Sequence, residues 1–183
     1  MRYFRFASIF LLMFVFNIMI SCGSSESGDN SNTPISERQA KANAQAYGKS
    51  GQYAFDIQDI YGNTTQFTDY IGKPLIINFW GTWCPPCRRE LPDLKRIYAE
   101  YKPQGLEIVG LSIKDTPAKV KRFANEHGLD WILLMANREA NTTFRIGTGV
   151  PMTVFLDREG NEVSRVIGAR NYDYFKQEVE KII

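Results

Sequence analysis

The sequence predicts an α/β fold in which a mixed central β-sheet is flanked by helices. The first observation is the run at residues 75–80, which is short, contains β-branched side chains and is apolar on both faces, as in a buried parallel strand. The second is the helix-competent segment that follows it at residues 88–101. The third is a further alternation of strand and helix: apolar runs at residues 106–113 and 131–135, each typical of a strand, lie on either side of a segment with helical spacing.

The two ends of this domain have patterns of their own. Alternation over residues 55–67, around a turn at residues 61–64, predicts an N-terminal β-hairpin. Residues 162–168 alternate after a second turn at residues 157–161, so we expect an antiparallel edge strand there. Apolar spacing over residues 171–183 predicts a helix that closes the fold.

The N terminus has the pattern of an export signal. Arg2 and Arg5 precede a mostly apolar stretch that is short for a membrane span, so residues 1–21 are typical of a secretory signal. The residues before Cys22 resemble a bacterial lipobox, which predicts cleavage there and lipidation of this cysteine. An uncleaved anchor, or a plain signal with a spare cysteine, are the alternatives. Each places the domain outside the cytoplasm, where disulfides persist.

Composition divides the remainder into a tether and one folded domain. Residues 23–33 lack large apolar side chains and cannot bury enough surface to fold, so residues 22–52 are interpreted as a flexible tether and residues 53–183 as the domain. Arg2 and Arg5 account for the whole formal charge of +2. The processed protein is therefore neutral, and its net charge gives no reason to expect nucleic acid as a partner.

Cys84 and Cys87 lie where the first predicted parallel strand ends and a helix begins. The first N–H groups of a helix lack internal partners and carry partial positive charge, so a thiol at this position is stabilised as the reactive thiolate. Pro85 suits the first helical position, where its missing N–H costs nothing. Because the cysteines share one helical turn, they can close into a small disulfide. We expect Cys84 to be the exposed attacking sulfur and Cys87 the more buried resolving sulfur.

Other interpretations of the cysteine pair remain open. A zinc site would need two more ligands, and only Cys22 and His127 remain, so we expect no metal. His127 is expected instead to end a helix before Gly128. A structural disulfide would ordinarily close a longer loop. A chance pair of inert core thiols is the third alternative, although the strand-then-helix context is the one that a redox motif requires.

The cysteine motif and its flanks resemble the TlpA/ResA branch of thioredoxin-like thiol–disulfide oxidoreductases. Trp-Cys-Pro-Pro-Cys at residues 83–87 follows Asn-Phe-Trp-Gly-Thr and precedes Glu-Leu-Pro at residues 90–92. The resemblance extends from about residue 53 to the C terminus. It implies a thioredoxin-like fold with an N-terminal β-hairpin and a central helix–strand insertion, a redox-active Cys84–Cys87 disulfide, and no cofactor.

The segment at residues 149–157 is the second marker of this resemblance. Pro151 cannot complete a strand ladder, so it marks a turn or the start of a strand. The resemblance implies that the Val150–Pro151 bond is cis, that the proline packs beside the cysteines, and that the Val150 backbone is free to pair with a substrate strand. Met152 replaces the threonine that is common at this position. The predicted substrate groove comprises Trp80, Trp83, Pro85, Pro86, Val150 and Met152.

Asp115 is a further candidate catalytic residue. It follows the strand at residues 106–113, on the sheet edge where open α/β folds place their sites. The resemblance implies an acidic residue here, usually glutamate, beneath the buried cysteine, and hence proton exchange between Asp115 and Cys87. The alternative is that Asp115 caps the next helix.

The resemblance also implies an activity and partners. We expect a reductase of protein thiol or disulfide substrates, with apocytochrome c as one candidate, that is recharged by a membrane thiol-reductant carrier and held by a lipid anchor on a bacterial membrane. Two other classes stay open. A peroxiredoxin-like peroxidase would use one peroxidatic cysteine with a nearby threonine and arginine; Thr82 is adjacent, but the spacing departs from the usual peroxiredoxin signature. A non-enzymatic copper-binding module would usually need a wider cysteine spacing and a histidine near the proline loop, and His127 is poorly placed for that.

Overall fold

The computed structural model describes residues 50–147 and 149–183. The predicted signal peptide, Cys22 and most of the tether lie outside these residues. In the described part of the chain, no helix is both long enough and apolar enough to span a bilayer. The strands are β1 (Asp56–Asp59), β2 (Thr64–Gln66), β3 (Leu75–Trp80), β4 (Glu107–Ser112), β5 (Ile132–Met135), β6 (Met152–Leu156) and β7 (Glu162–Ile167). The α-helices are α1 (Pro85–Tyr101), α2 (Pro117–His127), α3 (Arg138–Thr143) and α4 (Tyr172–Val179).

The strands form one mixed sheet in the order β2-β1-β5-β4-β3-β6-β7. The pairs β3/β4 and β4/β5 are parallel. The pairs β3/β6, β6/β7, β1/β5 and β1/β2 are antiparallel. The predicted hairpin is therefore β1–β2, and it extends the sheet beyond β5, the strand of the predicted insertion. The α/β fold, the hairpin, the insertion and the antiparallel edge strand are confirmed.

The central strand β3 determines where the site lies. All six of its residues are buried, because β4 and β6 flank it and apolar clusters cover both faces of the sheet. In the parallel register with β4, Trp80 lies opposite Ser112. The chain segments that leave these two residues consequently emerge at the same edge of the sheet. They carry the cysteine motif and Asp115.

Helix α1 begins at the motif itself. Cys84 is its N-cap residue and Pro85 its first helical residue, as expected from the fixed backbone angle of proline. Leu91, Leu94 and Ile97 face the core, where α4 also packs. Burial of this apolar stripe fixes the helix on the sheet, so the N terminus of α1 is held beside the ends of β3 and β4.

Helix α2 is capped by Thr116, whose hydroxyl accepts the Lys119 N–H at 3.4 Å. The alternative role of Asp115 as this cap is therefore wrong. At the other end, Gly128 adopts the left-handed conformation, and the Nδ1 atom of His127 lies 3.0 Å from the Phe123 carbonyl oxygen. The expected position of His127 at the helix C terminus is confirmed.

Candidate active site

The two cysteines of the motif are joined by a disulfide across the first turn of α1. Their Cα atoms are 5.3 Å apart. The Cys87 N–H, one of the helix N–H groups without an intrahelical partner, donates to the Cys84 sulfur at 3.2 Å. In the reduced protein the same N–H and the positive end of the helix dipole would favour negative charge on Cys84.

The burial of Cys84 differs from the sequence-based expectation. Cys84 exposes 2% of its surface and Cys87 none, so Cys84 is the more accessible sulfur but is not exposed. The cause is the loop before β6, which places the Val150 carbonyl oxygen 3.7 Å from the Cys84 sulfur. A partner sulfur can therefore reach Cys84 only at the small part of its surface that remains accessible.

The loop that covers Cys84 contains the expected cis peptide bond between Val150 and Pro151. Pro151 is buried and Val150 is half-buried. This loop and the exposed Trp83 border an open cavity of about 380 Å³ beside the disulfide. The sequence did not indicate the other residues of its wall, which include Ile113, Lys114, Asn141 and Ile146.

The predicted groove residues separate into two groups. Trp83 and Pro85 are exposed, and Pro86 is half-buried, so these residues can meet a partner. Trp80 and Met152 each expose only 1% of their surface, so they lie under the groove and do not line it. Both are strand residues whose side chains belong to the apolar clusters on the two faces of the sheet.

Trp83 is held in place although half of its surface is exposed. Its indole N–H donates to the Ile113 carbonyl oxygen at 3.0 Å, and 51% of its surface remains accessible. A fixed and exposed aromatic side chain next to Cys84 offers a partner a large contact area at a small cost in conformational entropy.

Asp115 accepts three hydrogen bonds from residues on the sheet edge. Its Oδ2 atom accepts the Thr82 N–H at 2.8 Å and the Ser112 hydroxyl at 3.1 Å, and its Oδ1 atom accepts the Thr82 hydroxyl at 2.8 Å. These bonds fasten the loop between β3 and α1 to the end of β4, two residues before Cys84. Proton exchange between Asp115 and Cys87 stays a prediction.

Paired variants separate the two roles of Asp115. Asp115→Ala removes all three hydrogen bonds, and we expect it to lower the free energy of unfolding by about 1–3 kcal/mol. Asp115→Asn can still accept from the Thr82 N–H and should be less destabilising. Denaturant unfolding measures both changes, and a wild-type stability of Asp115→Ala would contradict the anchoring role. Slowed disulfide exchange in a stable Asp115→Asn variant would instead identify proton exchange.

Glu90 is the residue that sequence reasoning missed. It lies one helical turn after Cys87, and its side chain is buried with 1% exposure. Its Oε1 atom accepts the Asn78 side-chain N–H at 2.9 Å, and its Oε2 atom accepts the Arg170 backbone N–H at 3.3 Å. The i, i+3 spacing from Cys87 places both side chains on one helix face, which is the signal that could have revealed it.

Burial dominates the acidity of Glu90. Removal from water disfavours the carboxylate and raises the pKa of Glu90 to about 7, although the hydrogen bonds from Asn78 and Arg170 oppose this shift. Near neutral pH the carboxyl group can therefore both hold and release a proton. That property suits a group one turn from a sulfur that alternates between thiol, thiolate and disulfide.

The residues on which the peroxidase, copper and zinc interpretations depend are engaged in contacts with other side chains. The Thr82 hydroxyl is engaged with Asp115. The His127 ring is stacked on Phe123, with their centroids 3.9 Å apart. Among residues 50–147 and 149–183, no group of three or more His, Cys, Asp or Glu residues could hold a metal ion.

Fold and site together define a class of protein. A disulfide across the first turn of a helix, a cis-proline loop against its sulfur and a mixed sheet beneath both are the features of a thioredoxin-fold thiol–disulfide oxidoreductase. Residues 32–180 match the AhpC/TSA family model, and the chain belongs to this family.

Individual relatives agree with this assignment. The chain is 33% identical over 129 residues to thiol-disulfide oxidoreductase ResA of Geobacillus thermodenitrificans (strain NG80-2). The matched region covers 70% of this chain and 74% of the relative. The chain is 32% identical, with the same coverage, to ResA of Bacillus thuringiensis (strain Al Hakam). A solved thiol:disulfide interchange protein of the thioredoxin family from Chlorobium tepidum TLS superposes with a TM-score of 0.63 and 28% identity, over 70% of this chain and 92% of that one.

Proposed function

We propose that the protein is an exported, lipid-tethered thiol–disulfide oxidoreductase that works as a reductase of protein disulfides. The observation that carries the exchange chemistry is the Cys84–Cys87 disulfide across the first turn of α1, with the Cys87 N–H donated to the Cys84 sulfur. The similarity to thiol-disulfide oxidoreductases supports this chemistry. The reductase direction rests on the resemblance to the TlpA/ResA branch. The signal-like N terminus and the lipobox-like residues before Cys22 support export and tethering.

The proposed reaction runs through one mixed disulfide. The Cys84 thiolate attacks one sulfur of a partner disulfide, and the other partner sulfur leaves as a thiolate that takes up a proton. The Cys87 thiolate then attacks the Cys84 sulfur, which forms the Cys84–Cys87 bond and releases the second partner sulfur. The cysteine pair loses two electrons and two protons, and the partner disulfide gains both.

Glu90 is proposed to take the proton of the Cys87 thiol during the second attack. The helical spacing places it on the face of Cys87, and its raised pKa allows it to accept a proton near neutral pH. Asp115 remains the second candidate for this role. It is joined to Thr82, so its removal would also displace the residues that lead into Cys84.

The proposed partners follow from the direction of the reaction. A reductase outside the cytoplasm must be reduced again after each turnover, so we propose a membrane thiol-reductant carrier as the electron donor. We propose apocytochrome c thiols as a candidate substrate because of the resemblance to the TlpA/ResA branch. The half-exposed Trp83 and the adjoining cavity would receive the polypeptide that carries the substrate cysteine.

The direction can be tested through the reduction potential of the Cys84–Cys87 pair. The full chain is equilibrated in glutathione or dithiothreitol redox buffers, and the dithiol fraction is measured by alkylation and mass spectrometry. We expect a potential of about −250 mV or lower, in the thioredoxin range. A potential near about −120 mV would contradict the reductase proposal and indicate a protein that introduces disulfides.

A further inference from the structure

A basic groove lies at the start of α1, next to the cysteine motif, and none of the described residues of the cis-proline loop lines it. It consists of two open cavities of about 340 and 320 Å³ that share Arg88 and His127 in their walls. The smaller cavity reaches Pro85, the residue bonded to Cys84, and the larger one extends along α2. We define the basic groove by the residues Thr82, Pro85, Arg88, Arg89, Lys119, Arg122, Phe123, Glu126 and His127.

The groove concentrates positive charge in a protein whose overall charge is close to zero. Four of its side chains are permanent cations, namely Arg88, Arg89, Lys119 and Arg122, and Glu126 is its one carboxylate. Glu126 lies 3.7 Å from Arg122. In the part of the chain that the structure describes, the other three cations form no ion pair with a carboxylate.

The floor of the groove contacts one of its cations, Arg88. The Phe123 ring exposes 8% of its surface, and the His127 ring stacks on it. The Arg88 guanidinium lies 5.8 Å from the centre of the same ring, within reach of a cation–π interaction. A guanidinium held in this way can bind a carboxylate through two parallel hydrogen bonds.

We propose that this basic groove binds acidic side chains that flank the reactive cysteine of a partner protein. The inference rests on the proposed function, because it requires that a partner sulfur bond to Cys84. A peptide bound there would run past Pro85 toward α2, and carboxylates on it would complement Arg88, Arg89 and Lys119, the cations of the groove that form no ion pair among the described residues. Attraction between such groups mainly accelerates association and selects among partners.

The test uses the oxidised protein and three synthetic peptides that each contain one cysteine. Two glutamates, two glutamines or two lysines stand on each side of this cysteine. The peptide thiolate attacks the Cys84 sulfur, the Cys84–Cys87 bond breaks, and Cys87 leaves as a thiolate that takes up a proton. Each peptide's rate with the protein is divided by its rate with uncharged bis(2-hydroxyethyl) disulfide, which removes differences in intrinsic thiol reactivity.

We expect the corrected rate of the glutamate peptide to exceed that of the glutamine peptide about tenfold at low ionic strength, with the lysine peptide slowest. The ratio should approach one in about 1 M salt, where charges are screened beyond about 3 Å. A ratio near one at low salt would overturn the inference. A different result would contradict the proposed function itself: none of the three peptides would react with the Cys84–Cys87 disulfide, at low or at high salt.

Charge variants locate the effect. Lys119→Glu combined with Arg122→Glu should lower the ratio of glutamate to glutamine rates to one or below, and Lys119→Gln combined with Arg122→Gln should lower it less, because Arg88 and Arg89 remain in the groove. Lys121→Glu is the matched control, because Lys121 lies on the same helix but contacts the Tyr61 ring at 4.4 Å, outside the groove. An unchanged ratio in both double variants, or an equal loss in Lys121→Glu, would contradict binding in this groove.

Discussion

Replacement of Cys84 with serine is expected to lower the steady-state rate of protein disulfide reduction by at least about 10³-fold, because it removes the sulfur that attacks the partner. Cys87→Ser should complete the first attack but not the second, so it should accumulate a mixed disulfide with the partner. The rate of insulin reduction by dithiothreitol, after subtraction of the uncatalysed reaction, measures the loss in Cys84→Ser. Non-reducing mass spectrometry of reduced Cys87→Ser mixed with insulin in the absence of dithiothreitol measures the mixed disulfide.

The third cysteine of the chain supplies the control for this experiment. Cys22 is the predicted lipidation site and takes no part in the proposed exchange, so Cys22→Ser should retain the wild-type rate in detergent solution. Two results would contradict the assignment of roles. One is turnover that persists in Cys84→Ser, and the other is a Cys87→Ser variant that forms no covalent complex.

Replacement of Glu90 with glutamine is expected to change both stability and rate. The pKa of Glu90 is raised from 4.5 to about 7 in the folded protein, so the folded state binds this proton more tightly than the unfolded chain does. Its contribution to stability is therefore complete below pH 4.5 and is lost as the pH rises through about 7. The loss amounts to about 3 kcal/mol of unfolding free energy.

Denaturant unfolding of both proteins between pH 4 and pH 8.5 isolates this contribution. The difference in unfolding free energy between wild type and Glu90→Gln should shift by about 3 kcal/mol across this range in favour of the variant. Other titrating groups are common to both proteins and cancel. A difference that does not vary with pH would show that the buried carboxyl group keeps an ordinary pKa.

The same variant tests the proton transfer. Glutamine cannot accept the proton of the Cys87 thiol. The attack of Cys87 on the mixed disulfide, which releases the partner, should therefore slow about 100-fold at pH 7 in Glu90→Gln, a typical value for loss of a general base. Glu100→Gln makes the same substitution at the exposed end of α1 and should keep the wild-type rate. Slow release in both variants, or in neither, would remove Glu90 from the mechanism.

Local signals in the sequence were sufficient for the centre of the fold. The run at β3 is apolar on both faces because neighbours cover it on each side, and such a run is recognisable without tertiary information. The cysteines and Pro85 mark a helix start by their own chemistry. The cis bond at Pro151 was predicted only through the family resemblance.

Contacts between distant parts of the chain were not predictable in this way. Glu90 looks like an ordinary polar helix residue, and it is buried because Asn78 and Arg170, which lie 12 and 80 positions away, close over it. Cys84 was expected to be exposed, and it is covered by Val150 from 66 positions away. Trp80 and Met152 lie beside the motifs in sequence, but strand geometry turns both side chains into the core.

The exchange reaction at Cys84 can be followed most directly in a single turnover of the reduced wild-type chain with a protein disulfide. Samples are quenched with acid at successive times, and tryptic peptides are mapped by mass spectrometry without reduction. We predict a transient disulfide between Cys84 and the partner, followed by one Cys84–Cys87 disulfide for each partner disulfide reduced. An adduct on Cys87 instead, or partner reduction without formation of the Cys84–Cys87 disulfide, would contradict the mechanism.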